Sequence, residues 1–136
     1  MKFKKQFWMP DGETHFNELD TKDLITYQSQ IRYIASELSD KGTAIDAGAH
    51  IGIATVHLSN YFREVVAFEP CHENFVCLAR NCEQIDNIKL MMMGLGSTNE
   101  RSVMQSVKDN SGAGYIKRLE ERQYRPKDSV NGIQRD

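Results

Sequence analysis

Residues 21–39 carry apolar side chains at three- and four-residue steps. Leu24, Ile31, Ala35 and Leu38 share one stripe with Gln28, and Ile25 and Ile34 widen it. That period predicts an amphipathic helix. Asp20 or Thr21 can cap its start, and Gly42 follows its end. The pattern then changes. Thr43-Ala44-Ile45-Asp46 is short and β-like, and a helical stretch to about Tyr61 follows the next glycines. Val65-Val66-Ala67-Phe68 is a second apolar run, stopped by Glu69-Pro70. Residues 72–83 place Phe75, Leu78, Ala79 and Cys82 on one helical face, and 87–93 reads as a third strand. Strand–helix–strand–helix–strand with crossovers this short predicts an α/β fold: a parallel sheet with right-handed connections.

The flanks read less regularly. Residues 3–16 predict a hairpin turning at Pro10-Asp11-Gly12, where proline presets one dihedral and glycine takes the positive one. Residues 102–107 suggest a strand, Asn110-Ser111-Gly112-Ala113-Gly114 a loop, and Tyr115-Ile116 a returning strand. Residues 117–136 are polar and charged, and suggest a short helix or loose tail. Met91-Met92-Met93 is expected in the core or at an oligomer contact, since methionine fills irregular gaps. With no repeat or linker, 1–136 is expected to be one domain: a hairpin and helix over 1–42, a central unit over 43–96, and a hairpin and polar tail over 97–136.

A net charge of −2 with no basic stripe argues against a polyanion partner, so no nucleic acid is expected. Lys2, Lys4 and Lys5 read as a solvated end. No apolar run reaches the length of a membrane span, and no apolar stretch follows the basic start, so no membrane association or signal peptide is expected. Cys71, Cys77 and Cys82 are odd in number and lack Cys-x-x-Cys spacing. They predict buried free thiols in a reducing cytoplasm, with no metal site.

The chemistry sits in Asp46-Ala47-Gly48-Ala49-His50-Ile51-Gly52, between the first strand and its helix. Ligands of parallel sheets bind at that carboxyl edge. Gly48 would let a ligand approach the backbone, Gly52 would let the helix pack close to the strand, and N–H groups at the helix start would face the ligand. Glu69, 21 residues beyond Gly48, ends the second strand, where a carboxylate can accept both hydroxyls of an adenosine ribose. A dinucleotide fingerprint would need a third glycine. Asp46 would repel a diphosphate and attract an ammonium. The loop therefore suits S-adenosylmethionine better than a nicotinamide cofactor.

These motifs, with Phe68-Glu69-Pro70, Asn74-Phe75 and Asn81, then Gly94-Leu95-Gly96-Ser97, the 110–114 run and the leading Pro10-Asp11-Gly12-Glu13, resemble the FkbM-type S-adenosylmethionine-dependent methyltransferases over roughly residues 8–116. The resemblance implies a partial Rossmann-like three-layer sandwich with parallel strands ordered 3-2-1. It implies a cofactor site drawn from Asp46, Ala47, Gly48, Ala49, His50, Gly52, Glu69, Pro70, Cys71, His72 and Gly94. Asp46, Gly48 and His50 would line the methionine end, Glu69 would hold the ribose, and Cys71 and His72 would border the adenine. The family's fourth strand, ending Ile-Asp-Val-Glu-Gly, has no match in 117–136. The expected activity is methyl transfer to a hydroxyl or amine of a small-molecule or sugar acceptor. A non-catalytic module holding the cofactor or its product, an interaction protein without ligand, and hydrolysis or lysis of the cofactor are the alternatives. No catalytic base is assigned, and His15, His50 and His57 are the candidates. Without the fourth strand, the outer edge of the first strand would be open, which predicts a homo-oligomer, a partner chain or the tail lying over it.

Overall fold

A computed structural model describes residues 1–14, 21–107 and 110–117. Its elements are β1 (Lys2–Lys4), β2 (Phe7–Met9), α1 (Thr21–Glu37), β3 (Thr43–Ala47), α2 (Ile53–Ser59), β4 (Glu64–Phe68), α3 (His72–Cys82), β5 (Ile88–Met91), β6 (Val103–Val107) and β7 (Asn110–Lys117). Strands β3, β4 and β5 form a parallel sheet in that order. This is a partial Rossmann-like α/β fold. Both crossovers step the same way across the sheet, so right-handed connections put α2 and α3 on one face.

The central strand shows why. Val65 and Ala67 of β4 are fully buried, and Ala67 clusters with Ala49, Leu78 and Cys82. Val56, Phe75, Ile88 and Leu90 pack around them. Fully burying a side chain such as Leu78 contributes about 1.5–3 kcal/mol. The thiols join this core as small hydrophobes. Burial pushes Cys77 up to about 11 and Cys82 up to about 12, so both stay protonated. Cys71, Cys77 and Cys82 are free and buried.

A second cluster of Met9, Ile51 and Cys77 seats β2 on α3. Asn81 fixes that contact. Its Oδ1 accepts from the Trp8 N–H at 2.7 Å, and its Nδ2 donates to Trp8 O at 2.9 Å and Ile51 O at 2.7 Å. One side chain thus ties the N-terminal hairpin to the glycine loop.

Four expectations need correction. The hairpin turns at Lys5-Gln6, both at positive φ (50° and 72°), and not at Pro10-Gly12. Two-residue hairpin turns favour such mirror-image backbone, and nothing in Lys-Gln signals it. Pro10–Glu13 forms a separate turn, closed by Glu13 N–H to Pro10 O at 3.2 Å. Residues 110–114 are strand, not loop: they begin β7, which pairs with β6 across a register shift. Met92 and Met93 lie past the end of β5 and are exposed, which removes the core alternative for them and leaves the oligomer contact. The stripe on α1 is only partly used: Ala35 is buried, while Ile34 and Leu38 are exposed. Among the described residues β3 pairs only with β4, and Ile45 on it is 65% exposed, so the first strand does lie at a sheet edge. No helix among the described residues is long and apolar enough to cross a membrane. His15 and the tail from 118 lie outside the described residues.

Candidate functional site

Parallel pairing of Asp46 with Ala67 and of Ala47 with Phe68 brings the carboxyl ends of β3 and β4 level. The chain then turns through two glycines in left-handed backbone, Gly48 (φ 87°) and Gly52 (φ 94°), with His50 (φ 53°) between them. Gly48 N–H and Ala49 N–H both donate to Phe68 O at 2.9 Å, and Gly52 N–H donates to Ala49 O at 2.8 Å. The loop is thereby clamped onto the end of β4.

Glu69 completes the clamp. Its Oε2 accepts the His50 N–H at 2.8 Å, and its Oε1 accepts the Cys71 N–H at 2.8 Å. The residue is only 4% exposed. The predicted loop and acid therefore converge at the same end of adjacent parallel strands. Each carboxylate oxygen already holds one backbone donor, and each has a second lone pair for another. Tested against a ligand, this makes Glu69 first a brace for the loop. Any ribose contact would use what the brace leaves.

The loop's N–H groups are spent in the same way. Those of Gly48, Ala49, His50 and Gly52, all ahead of the first residue of α2, have protein acceptors. Carbonyl and carboxylate acceptors lay close by, and buried donors are rarely left unpaired. An anion nest for a diphosphate is thus missing from these four positions. Gly52 also differs from expectation. A Cβ there would lie 2.7 Å from Leu78 Cδ1 and 3.4 Å from Cys82 Sγ, so this glycine serves contact with α3 and not with the strand. At Gly48 a Cβ would meet nothing within 4 Å, which leaves the backbone open to a ligand.

Asp46 is half-buried beside this opening. Thr55 Oγ1 donates to its Oδ2 at 2.6 Å. Burial raises its pKa, the Thr55 bond lowers it, and the nearby Glu69 charge raises it again. A partly desolvated carboxylate of this kind favours a cationic neighbour.

His50 is the most connected of the candidates. Its Nε2 lies 2.6 Å from Ser111 Oγ on β7. Ser111 N–H donates to Glu13 Oε2 at 2.6 Å, its Oγ–H makes a short hydrogen bond to the same oxygen, and its carbonyl accepts from Asn74 Nδ2 at 3.0 Å. Burial lowers the His50 pKa, while Glu69 and Glu13 act to raise it. Glu13 and Ser111 were not among the predicted site residues. The Pro-Asp-Gly turn and the glycine pair at 112 and 114 marked their surroundings, but no local pattern joins positions 98 residues apart. His57 on α2 has a buried Nε2 without a hydrogen-bond partner among the described residues, and burial lowers its pKa.

Beyond Pro70 lies a cleft of about 550 Å³. Met92–Glu100 line it on one side, with Ser102, Met104 and Ile116 from the hairpin on the other. Gly94 lies here, and a Cβ on it would fall 2.7 Å from Ile116 Cδ1. Cys71 is buried at the start of α3, and His72 points to a separate 400 Å³ groove by Pro10–Gly12, away from this cleft. Pro70 and Gly94 thus meet in one cleft, Asp46 to Glu69 form its neighbouring clamp, and His72 does not join either. Among the described residues no group of three or more His, Cys, Asp or Glu is arranged to hold a metal ion.

No family model matches the chain. Over 66 residues, 47% of its length, the chain is 36% identical to a Dictyostelium discoideum protein whose name assigns it, provisionally, to the methyltransferases. The chain spans about a quarter (24%) of that protein. A Pyrococcus horikoshii structure, named provisionally as an RNA methyltransferase, shares the fold at TM-score 0.53 with 17% identity, covering 70% of this chain and 50% of that one. A Streptococcus mutans structure, named provisionally as a methyltransferase in complex with SAH, is 28% identical at TM-score 0.44, covering 49% of this chain and 39% of its own. The α/β architecture is thus one found in methyltransferases. A neighbour named for RNA lends no support to the expectation that nucleic acid is excluded.

Proposed function

We propose that the chain is the S-adenosylmethionine-binding part of an FkbM-type methyltransferase, one domain over 1–136, acting on a hydroxyl or amine of a small-molecule or sugar acceptor. The observation that carries the ligand reading is the state of the loop. Its open point is the Gly48 backbone, its donors at 48, 49, 50 and 52 are already bonded, and its flank is the Asp46 carboxylate. A diphosphate would find a negative charge and few donors there. A methionine tail would find an acceptor for its ammonium. The adjoining cleft past Pro70 has the volume and apolar edge to take an adenine, with Glu69 between the two.

The cofactor would supply an activated methyl group. The protein's part is positioning: Asp46 on the ammonium, Glu69 at the ribose, Pro70 and Gly94 at the base, with Ala47 and Ala49 shaping the loop. Cys71, next to Pro70, would adjoin the adenine end, whereas His72 faces the separate groove by Pro10–Gly12 and takes no part. The similarity to a protein named as a methyltransferase over nearly half the chain supports the same reading.

Asp46→Asn tests it. Asparagine keeps an acceptor for Thr55 and removes the charge. Calorimetric titration should show wild type binding S-adenosylmethionine in preference to NAD, with the variant weakened at least about tenfold, the loss of one charge-assisted contact. Preferred NAD binding by the wild type, or an unweakened variant, would reject the assignment.

A further inference from the structure

His50 occupies the left-handed region (φ 53°) between two glycines that do the same. Glycine is the ordinary residue there, since a side chain raises the cost of positive φ. Strained backbone persists where its surroundings over-determine it, and it points to a use for the side chain. Here the residue is held at both ends, by Glu69 on its N–H and by Ser111 on its ring.

The direction of those bonds fixes which atom donates between the ring and Ser111. Glu13 is 1% exposed, and the oxygen it turns to Ser111 is an acceptor, since it receives a backbone N–H. Its Oε2 takes both the N–H and the O–H of Ser111. Ser111 has a single hydroxyl proton, so toward His50 its oxygen can only accept. The imidazole must then carry a hydrogen on Nε2, and in the neutral ring Nδ1 is the acceptor nitrogen. Burial favours that neutral ring.

We propose that Ser111, oriented by Glu13 and Asn74, is a positioning residue that locks His50 as the Nε2–H tautomer and clamps the β6–β7 hairpin over the glycine loop. Four bonds on one serine join β7 to the Pro10–Glu13 turn, the loop and the first turn of α3. The hairpin's second footing is Ile116 against Gly94, beside the cleft. The clamp therefore spans both halves of the proposed cofactor site. Its effect on ligand affinity rests on the function proposed above, whereas the tautomer does not.

Two readouts separate them. Long-range proton–nitrogen NMR on protein labelled with nitrogen-15 histidine should show His50 as Nε2–H in the wild type, without any ligand. In Ser111→Ala that preference should be lost, and in Ser111→Thr, which keeps the hydroxyl, it should return. Titration with S-adenosylmethionine should give about a tenfold weaker dissociation constant for Ser111→Ala, rescued in Ser111→Thr, the size expected from one buried hydrogen bond. A wild-type His50 carrying its proton on Nδ1 overturns the proposal, even if the alanine variant fails to fold. So does an alanine variant with an unchanged His50 signal and unchanged affinity. Absence of cofactor binding by a wild type with the Nε2–H signature would sink the functional assignment and leave the positioning of His50 standing.

Discussion

Gly48 and Gly52 stand four residues apart in one loop and share a left-handed backbone, yet their surroundings are opposite. Around Gly48 the space is empty; around Gly52 it is filled by Leu78 and Cys82 of the neighbouring helix. The first lies at the exposed end of a sheet edge. The second is buried at the start of α2. The same residue type in the same conformation therefore leaves room for a ligand at one end and lets two helices meet at the other. A glycine pattern by itself reports a backbone requirement, and the neighbours decide whether that requirement serves binding or packing.

Gly52→Val should break the packed end, and this is the largest effect expected. The new side chain meets Leu78 within 2.7 Å at its first atom, and the backbone is strained as well. Overpacking and positive φ together should cost about 3 kcal/mol or more. Urea denaturation, followed by the fluorescence of the single tryptophan, Trp8, checks this. A midpoint within error of wild type would show that α3 yields freely.

Gly48→Ala should separate the two ends. The space accepts a methyl group, so only backbone strain remains, about 1 kcal/mol. Affinity for S-adenosylmethionine should fall further than stability does, by about tenfold or more if the ligand lies on this backbone. Equal affinity would move the ligand away from Gly48.

A smaller effect follows from pH. Burial holds the His50 pKa below the ordinary histidine value of 6.5, despite the opposing Glu69 and Glu13. Its contribution to stability is therefore present above pH 6.5 and is lost as pH falls through the lowered folded value. Asp46 has the opposite sign. Its raised pKa gives a contribution fully present below 3.8 and lost as pH rises through the folded value. Melts between pH 7.5 and 5 should thus show a decline on acidification that is reduced in His50→Gly, a change that also relaxes the positive φ. An identical decline in the variant would place the titration elsewhere.

Much of the central unit was legible in the chain. The apolar runs at 43–46, 65–68 and 87–93 hold the three strands, the last ending at Met91, and Ala67, Ile88 and Leu90 pack in one cluster with the helices. The expected convergence of the 46–52 loop with Glu69 follows from parallel pairing in register. Three places departed from the pattern. Lys5-Gln6 adopts a turn its residues do not advertise, 110–114 becomes strand despite its glycines, and Met92 and Met93 run past the sheet. At Lys5-Gln6 and 110–114, local propensity was weak and pairing with the neighbouring strand made the choice.

The order of strands and helices and the positions of the glycine loop and its acid depend on periodicity and spacing along a short stretch, so the chain alone carries them. That Glu69 braces the loop, that Gly52 faces α3, and that Glu13, Ser111, Asn74 and His50 meet emerges from the folded arrangement alone. Hydrogen bonds and close packing act through space, and they join residues whose separation along the chain carries no signal of their contact.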